Sequence, residues 1–232
     1  MNLRIGIVCE GPTDFIVIQA ALNAVISKDF TATLLQPEDT PKSKKLGTGW
    51  CGVFKWCRDN LFSENYQVIV LRKTFHAVII HLDADVAEKR FSDCGLDSPG
   101  LPCVSPCPPS GDTVKKLKNL LKSWMPGNPL DNRTVICIPS VCTEAWVVTA
   151  LYGKLNPDIL TEIECNETVE NYLAGKPARE RLIIPSTLKK RTERYRASAV
   201  KISNNWDMVT EHCSEAKKFE DDIRILLALD RL

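Results

Sequence analysis

The sequence predicts an α/β fold with a mostly parallel sheet, flanking helices and a helical C-terminal extension. Short apolar runs rich in branched residues alternate with segments whose apolar residues recur at helical spacing. Two of these runs, in the stretches Leu3–Asp14 and Ala77–Asp85, end on acidic residues. The 232 residues suffice for one substantial core without disulfides. We therefore expect one unit over residues 1–153 and a helical extension over residues 154–232.

The N-terminal part of the chain is predicted to run strand, helix, strand, helix. After the first strand, Gly11-Pro12 makes a turn, and apolar residues then follow at helical spacing to Ile26. Phe30–Leu35 predicts a second strand, and Trp50–Leu61 predicts an amphipathic helix. The run Val68–Leu71 is too brief to assign. Ala77–Leu82 is the clearest central strand.

A long loop and further helices follow. Residues 91–113 are rich in Pro, Gly, Ser and Cys, which predicts a long irregular loop of the kind that often serves function. A helix capped by Thr113, a fourth strand at Val135–Ile138 and a helix at Thr143–Leu151 come next. In the extension, the segments with a helical pattern are Val169–Leu173, Glu180–Ile184 and Ser214–Leu229.

The composition limits the classes of partner. The net charge of +1 is typical neither of a protein that wraps nucleic acid non-specifically nor of an acidic tail, so nucleic-acid binding would need a local basic patch. Arg4 interrupts the first apolar run and Glu10 ends it, which does not fit a secretory signal, and no apolar run approaches the roughly 20 residues of a membrane span. We expect a soluble, reduced, cytoplasmic protein without a membrane partner.

The acidic residues at the strand ends predict a metal site. Glu10 follows the first strand, Asp14 lies about one turn into the next helix, and Asp83 and Asp85 follow the central strand. Because the carboxyl ends of parallel strands meet at one crevice, these side chains should converge. Crowded carboxylates raise one another's pKa unless a cation lies among them, and hard oxygen ligands select Mg²⁺ or Mn²⁺. Taken singly, each acidic residue is also explained by turn chemistry.

The order of these motifs resembles the Toprim domain of topoisomerases, bacterial primases and related enzymes. The resemblance covers roughly the first 150 residues. The string Val8-Cys9-Glu10-Gly11-Pro12-Thr13-Asp14 is most similar to the overcoming-lysogenization-defect (OLD) nucleases. The segment Pro139–Trp146, which ends Thr-Glu-Ala-Trp, is similar to small stand-alone bacterial Toprim proteins encoded beside ABC-type or AAA-type ATPases.

This resemblance implies a Toprim-like, Rossmann-like fold and a Mg²⁺- or Mn²⁺-dependent nuclease that cleaves DNA or RNA, transfer RNA included. It further implies two metal ions, a role as effector of an antiphage defence system and an ATPase partner in trans. It leaves homo-oligomer formation open. The implied catalytic residues are Glu10, Asp83, Asp85 and Glu144, and the implied metal ligands are Glu10, Asp14, Asp83 and Asp85. A downstream lysine would stabilise the transition state, and Lys189, Lys190 and Lys201 are the candidates.

Several of these signals have a simpler structural explanation. Glu144 stands in the first turn of a helix, where the macrodipole favours an acidic residue regardless of function. The cysteines Cys94, Cys103 and Cys107 suggest zinc but lack a paired CxxC motif. A basic tract either forms a solvated helix face or contacts phosphates, with a tyrosine stacking on a base. The residues of this basic tract are Lys189, Lys190, Arg191, Arg194, Tyr195 and Lys201.

Two other functions compete with the nuclease. Asp83-Ala84-Asp85-Val86 resembles the nucleophile loop of haloacid-dehalogenase-type phosphatases, although that family needs a later acidic pair after a strand, and Asp221-Asp222 lies in an amphipathic helical segment. The other alternative is a non-catalytic Toprim module that uses the acidic residues for metal-dependent partner binding. The sequence leaves both alternatives open.

Overall fold

A four-stranded parallel sheet forms the centre of the structure, a computed structural model that describes residues 2–37, 46–61, 66–128 and 130–229. The strands, which lie in the order β2-β1-β3-β4, are β1 (Leu3–Val8), β2 (Phe30–Gln36), β3 (Ala77–His81) and β4 (Thr134–Cys137). All neighbouring pairs are parallel, so the carboxyl ends of the strands share one edge of the sheet. The predicted α/β class is confirmed.

Helices cover both faces of this sheet. In chain order, the helices of the described residues are α1 (Pro12–Val25), α2 (Gly49–Leu61), α3 (Tyr66–Thr74), α4 (Gly111–Ser123), α5 (Thr143–Tyr152), α6 (Val169–Ala174), α7 (Thr192–Asn204), α8 (Trp206–His212) and α9 (Ser214–Leu229). Successive strand residues point to opposite faces, as Ile79 and Ile80 show by joining different core clusters. Helices α1, α5, α7 and α9 pack on one face and α2, α3 and α4 on the other.

The C-terminal extension contributes to the core of the sheet. The rings of Trp206 and Phe219 pack on Trp146, which belongs to α5, and all three side chains are buried. The extension thus completes one helical layer of the fold. No helix in the described ranges is long and apolar enough to cross a membrane.

Two local expectations are resolved by the fold. The unassigned run Val68–Leu71 lies in α3. The helical prediction for Glu180–Ile184 is wrong, because Ile183 forms an antiparallel bridge with Lys190 and residues 182–191 fold as a hairpin. Pro185 prevents a helix from continuing past Ile184. Lys190 lies on this hairpin.

Four cysteines form two disulfides, Cys51–Cys94 and Cys107–Cys165. The expectation of fully reduced cysteines is wrong for these four. The paired residues are 43 and 58 positions apart, so chain folding rather than local spacing brings them together. The zinc alternative fails as well, because both Cys94 and Cys107 are consumed. Cys103 is a free thiol, half-buried in the long loop.

Candidate metal site and cleft

Glu10 and Asp83 lie together where strands β1 and β3 end. The backbone N–H of Asp83 donates a hydrogen bond of 2.8 Å to Glu10 Oε1. This bond joins the two strand ends directly, as their adjacency in the sheet requires. The glutamate is therefore fixed against the loop that carries the two aspartates.

Asp85 completes a group of three carboxylates. Oxygen atoms of Glu10, Asp83 and Asp85 all lie within 4.8 Å of one another, an arrangement that could hold a metal ion. Two oxygens on one Mg²⁺ are at most about 4.2 Å apart, twice the Mg–O distance of about 2.1 Å. The donor set fits a hard divalent cation after a small inward movement of the side chains. Asp85 is exposed and Asp83 is buried, so the group opens to solvent on one side.

The metal-free group is electrostatically unfavourable. Burial, followed by the charges of Asp83 and Asp14, raises the pKa of Glu10 well above its usual range. Burial and the neighbouring Asp83 raise the pKa of Asp85 to about 6. Burial also raises the pKa of Asp83, although His81 opposes this shift. Each of these shifts reports repulsion and lost hydration that a bound cation would relieve.

Asp14 lies behind this group rather than within it. Its Oδ2 accepts a hydrogen bond of 2.9 Å from the Gly11 N–H, and its Oδ1 accepts one of 2.9 Å from Thr143 Oγ1. The Thr143 N–H in turn donates to Asp83 Oδ1 at 3.0 Å. The structure therefore places predicted ligand Asp14 as a buried support that orients the others. Thr143, to which sequence reasoning gave no role, connects Asp14 with Asp83.

His81 supports Asp83 from the strand. Its Nε2 lies 3.3 Å from Asp83 Oδ1, and its side chain is fully buried. Burial alone would lower the pKa of His81, but contact with Asp83 outweighs it and raises the pKa. The expectation that His81 is a core or supporting group agrees with this position.

Glu144 pairs with a lysine instead of joining the three carboxylates. Its Oε2 accepts a hydrogen bond of 2.7 Å from Lys190 Nζ, and its Oε1 accepts one of 2.7 Å from the Tyr195 hydroxyl. Burial raises the pKa of Glu144, but Lys190 and then Tyr195 lower it below its usual value. Burial lowers the pKa of Lys190, while Glu144 and the site aspartates raise it well above its usual range. Both partners are therefore charged.

The three carboxylates and Lys190 face a cleft of about 720 Å³. Residues of the long loop, including Val104 and Cys107, line the cleft together with Cys165 and Glu170 of the C-terminal extension. Lys190 Nζ also lies 3.2 Å from Glu170. Among the described residues that line the cleft, carboxylates outnumber cations: Glu10, Asp83, Asp85, Glu88, Glu167 and Glu170 stand against Lys190.

The rest of the basic tract does not form a common surface with this cleft. Tyr195 is buried with 0% exposure, so the expectation that it stacks on a base is wrong. Arg194 donates to the Arg179 carbonyl and Lys201 to the Leu151 carbonyl. Lys189 and Arg191 flank Lys190 on the hairpin but are not among the residues that line the cleft. Their role as phosphate contacts stays a prediction.

Comparison of the chain with protein-family models, curated proteins and solved structures gave no match. The interpretation of the site therefore rests on its own geometry and chemistry.

Proposed function

We propose that this chain is a Mg²⁺- or Mn²⁺-dependent nuclease that hydrolyses phosphodiester bonds of DNA or RNA, with a Toprim-like active site. The observation that carries the proposal is the convergence of Glu10, Asp83 and Asp85 at the ends of adjacent parallel strands, within a cleft that also holds Lys190. The carboxylates can hold a hard metal cation, and Lys190 supplies a positive charge in the same cleft. A phosphodiester needs both kinds of group to offset the charge that develops during hydrolysis.

The donor set favours Mg²⁺ or Mn²⁺ over softer metals. It contains three carboxylates, and neither histidine nor thiolate is among them. A bound ion of this kind would stabilise charge on a phosphoryl oxygen and lower the pKa of an attacking water. The geometry supports one ion at the three carboxylates. A second ion would require Asp14 to release one of its present hydrogen bonds.

Glu10 is the group best suited to accept the proton of the attacking water. Its Oε2 is not used in the bond to Asp83, so this oxygen is left to accept a proton. Asp83 is held more tightly, by Thr143 and His81. We therefore assign proton transfer to Glu10 and assign Asp83 to holding the ion.

Lys190 is suited to bind a phosphate oxygen. An ammonium group has three N–H donors, of which Glu144 and Glu170 engage two. The third is left for a substrate, and the side chain is 24% exposed in the cleft. Of the three candidate lysines from the sequence, Lys190 is the one that lines the site. Glu144 then serves to orient Lys190 and keep it charged.

The wider role rests on the resemblance alone. We propose that the chain acts in the cytoplasm as the effector of an antiphage defence system and that an ABC-type or AAA-type ATPase directs it. The excess of carboxylates in the cleft supports control of some kind, because a polyanionic substrate is repelled until cations are bound. Co-purification of the chain with an ABC-type or AAA-type ATPase from its host would support this part, and failure to associate with any such ATPase in the presence of ATP would contradict it.

A cleavage assay tests the nuclease. The purified chain is incubated with plasmid DNA or total transfer RNA and with Mg²⁺, Mn²⁺ or EDTA. The variants are Glu10→Ala, Asp83→Asn and, as a matched control on the cleft wall outside the three carboxylates, Glu88→Gln. We expect metal-dependent cutting that Glu10→Ala and Asp83→Asn abolish and Glu88→Gln retains.

Other outcomes favour the competing functions. Metal binding without cutting of any nucleic acid would favour the non-catalytic binding module. Turnover of a small phosphomonoester that Asp83→Asn blocks would favour the phosphatase. Against the phosphatase, Asp221 and Asp222 pair with Lys217 and Lys118 on or near α9 and do not line the cleft.

A further inference from the structure

The Cys107–Cys165 disulfide joins two separate segments that line the cleft. Cys107 lies in the long loop and Cys165 lies in the C-terminal extension, and both line the cleft that contains the carboxylates. Their Cα atoms are 5.6 Å apart, although 58 residues separate them in the chain. The bond therefore fixes the distance between these two segments of the lining.

The loop segment that carries Cys107 has little else to hold it. Three of the four residues 106–109 are prolines, which lack the N–H needed to donate a backbone hydrogen bond. Residues 104 and 106–109 are exposed, and Val104 is 54% exposed although it is apolar. Anchors lie earlier, where the Cys103 N–H donates to the Ala87 carbonyl at 2.8 Å and Ser105 exchanges hydrogen bonds with the Thr113 hydroxyl. The disulfide is thus the main restraint on residues 106–109, which form the rim of the cleft.

One weaker contact also joins these two segments. Ser110 Oγ donates to Glu164 Oε2 at 3.2 Å, but Glu164 also accepts hydrogen bonds from Ser214 and the Glu215 N–H. Glu164 remains anchored to α9 without Ser110. Loss of the disulfide would therefore leave the segment at Cys165 in place and release the segment at Cys107.

The exposed position of Cys107 makes the bond accessible to a reductant. A thiolate must reach one sulfur of the disulfide for exchange to occur, and exposed disulfides are the labile ones. By contrast, Cys142, which lies near the site, is buried, and burial raises the pKa of its thiol well above the usual value. In a reducing compartment, disulfides that persist are commonly redox-sensing.

We propose that the Cys107–Cys165 disulfide is a redox-sensitive latch that narrows the cleft when oxidised and admits a polynucleotide when reduced. A dithiol reductant supplies the two electrons. One thiolate of the reductant attacks one cysteine sulfur, forms a mixed disulfide and displaces the other cysteine as a thiolate. The second thiolate of the reductant then attacks the reductant sulfur of the mixed disulfide and releases the first cysteine. The products are two cysteine thiols and the cyclic disulfide of the reductant. The substrate-access part of this inference rests on the proposed nuclease. The movement of the rim does not.

The activity test compares large and small substrates. Oxidised wild-type protein in Mg²⁺ is assayed with and without dithiothreitol, against plasmid DNA, transfer RNA and the small diester bis(p-nitrophenyl) phosphate. We expect reduction to raise cutting of the nucleic acids several-fold and to leave turnover of the small diester unchanged. Without dithiothreitol, the variant Cys107→Ser with Cys165→Ser should cut nucleic acids as fast as the wild-type protein does after its disulfide has been reduced.

The second disulfide supplies the control. Cys51 and Cys94 tie α2 to the turn at Phe91–Cys94 and do not line the cleft. Protein carrying Cys51→Ser with Cys94→Ser should still respond to dithiothreitol. If this control loses the response while Cys107→Ser with Cys165→Ser keeps it, or if the protein cuts nucleic acid but cuts it equally fast in both redox states, the latch is overturned.

Hydrogen exchange tests the latch independently of activity. Amide exchange in residues 104–110 should rise several-fold on reduction and in Cys107→Ser with Cys165→Ser, while exchange in β1 and β3 stays constant. Unchanged exchange at the rim overturns the inference even if the chain is a nuclease. Faster rim exchange in a protein that cuts no nucleic acid keeps the latch and rejects the nuclease.

Discussion

At the scale of single residues, Glu10 shows a conflict between stability and function. Its carboxylate is fixed against Asp83 by the 2.8 Å hydrogen bond, and burial and neighbouring charges raise its pKa well above the usual range. A charged Glu10 therefore destabilises the metal-free protein. Sites that bind cations commonly carry such a cost, because the ion that relieves it is absent until binding.

We predict that Glu10→Gln stabilises the metal-free protein at neutral pH. The amide oxygen can still accept the Asp83 N–H, while the charge is removed. The expected result is a higher melting temperature, because the folded state disfavours a charge on Glu10 and the amide carries none. Thermal melts in EDTA measure it, with Glu88→Gln as the control. A lower melting temperature for Glu10→Gln would contradict the electrostatic account.

Tyr195 offers a second test, because its hydroxyl donates a hydrogen bond to the buried Glu144 carboxylate. Tyr195→Phe leaves Glu144 Oε1 without this donor, which should lower the free energy of unfolding by about 1–3 kcal/mol. The loosened Glu144 should also orient Lys190 less well and reduce the rate of cleavage. Urea unfolding and the cleavage assay measure the two effects.

Tyr172→Phe is the matched control for this change. Tyr172 also contributes its ring to the fold, where Lys176 Nζ lies 3.5 Å from the ring centroid, but the tyrosine that donates to Glu144 Oε1 is Tyr195. If Tyr195→Phe and Tyr172→Phe have equal stability and equal activity, the Tyr195 hydroxyl contributes nothing to the site.

At the scale of elements, the N-terminus of α5 holds the site together. Thr143 is the first residue of this helix and binds Asp14 of α1 through its hydroxyl and Asp83 through its N–H. One residue thereby fixes the relative positions of α1, α5 and the end of β3. Thr143 is not itself a metal ligand, so its contribution is to hold Asp14 and Asp83 in place.

We predict that Thr143→Val destabilises the protein by about 1–3 kcal/mol, because the buried Asp14 loses its hydroxyl donor while the shape of the side chain is kept. Metal affinity should fall as well, since Asp14 no longer supports the ligands. Thr143→Ser retains the hydroxyl and serves as the control. Isothermal titration with Mn²⁺ and urea unfolding give the two quantities, and equal values for the Val and Ser variants would contradict this role.

Periodicity and turn residues predicted the strands and helices whose apolar pattern lies within one continuous stretch of sequence. The strands β1 and β3 and the helix α5 have continuous apolar burial or helical periodicity, so periodicity and turn residues located them, together with the acidic strand ends. The hairpin at residues 182–191 was missed because its apolar run forms a bridge to a residue seven positions later. No local pattern encodes such a pairing.

The residues of the site at the strand ends were predictable from the sequence, and their partners from distant parts of the chain were not. Glu10, Asp83 and Asp85 follow from strand order, because parallel strands place their ends together. The partner of Glu144 did not follow, since Lys190 is 46 residues away and reaches it through the hairpin. The disulfides could not be paired from spacing for the same reason.

At the scale of the whole molecule, the charges of the site should make stability depend on pH. The pKa of Glu10, Asp83 and Asp85 is raised in the folded state. A raised carboxyl pKa costs nothing below the unfolded pKa, and stability is lost as the pH rises from that value through the folded pKa. For Asp85 this interval runs from the ordinary value of 3.8 to about 6, and the pKa of Glu10 is raised in the same direction.

One group acts in the opposite direction. Lys190 lowers the pKa of Glu144, so this carboxylate adds stability above its unfolded pKa and loses it as the pH falls through the folded pKa. The two opposing trends place the most stable pH of the metal-free protein on the acid side of neutrality. Above that pH, the three site carboxylates dominate.

We therefore predict that the melting temperature of the metal-free protein falls as the pH rises from about 4 through about 6 and stays low up to about pH 8, and that saturating Mn²⁺ removes most of this fall. The ion binds the ionised carboxylates, and at about 100 times its Kd it should stabilise the fold by about 2.7 kcal/mol. Thermal melts across this pH range, in EDTA and in Mn²⁺, provide the measurement. In Glu10→Gln the pH dependence should be smaller and the Mn²⁺ effect weaker. A melting temperature in EDTA that is constant over the range, or that Mn²⁺ leaves unchanged at pH 8, would show that the three carboxylates neither repel one another nor bind the ion.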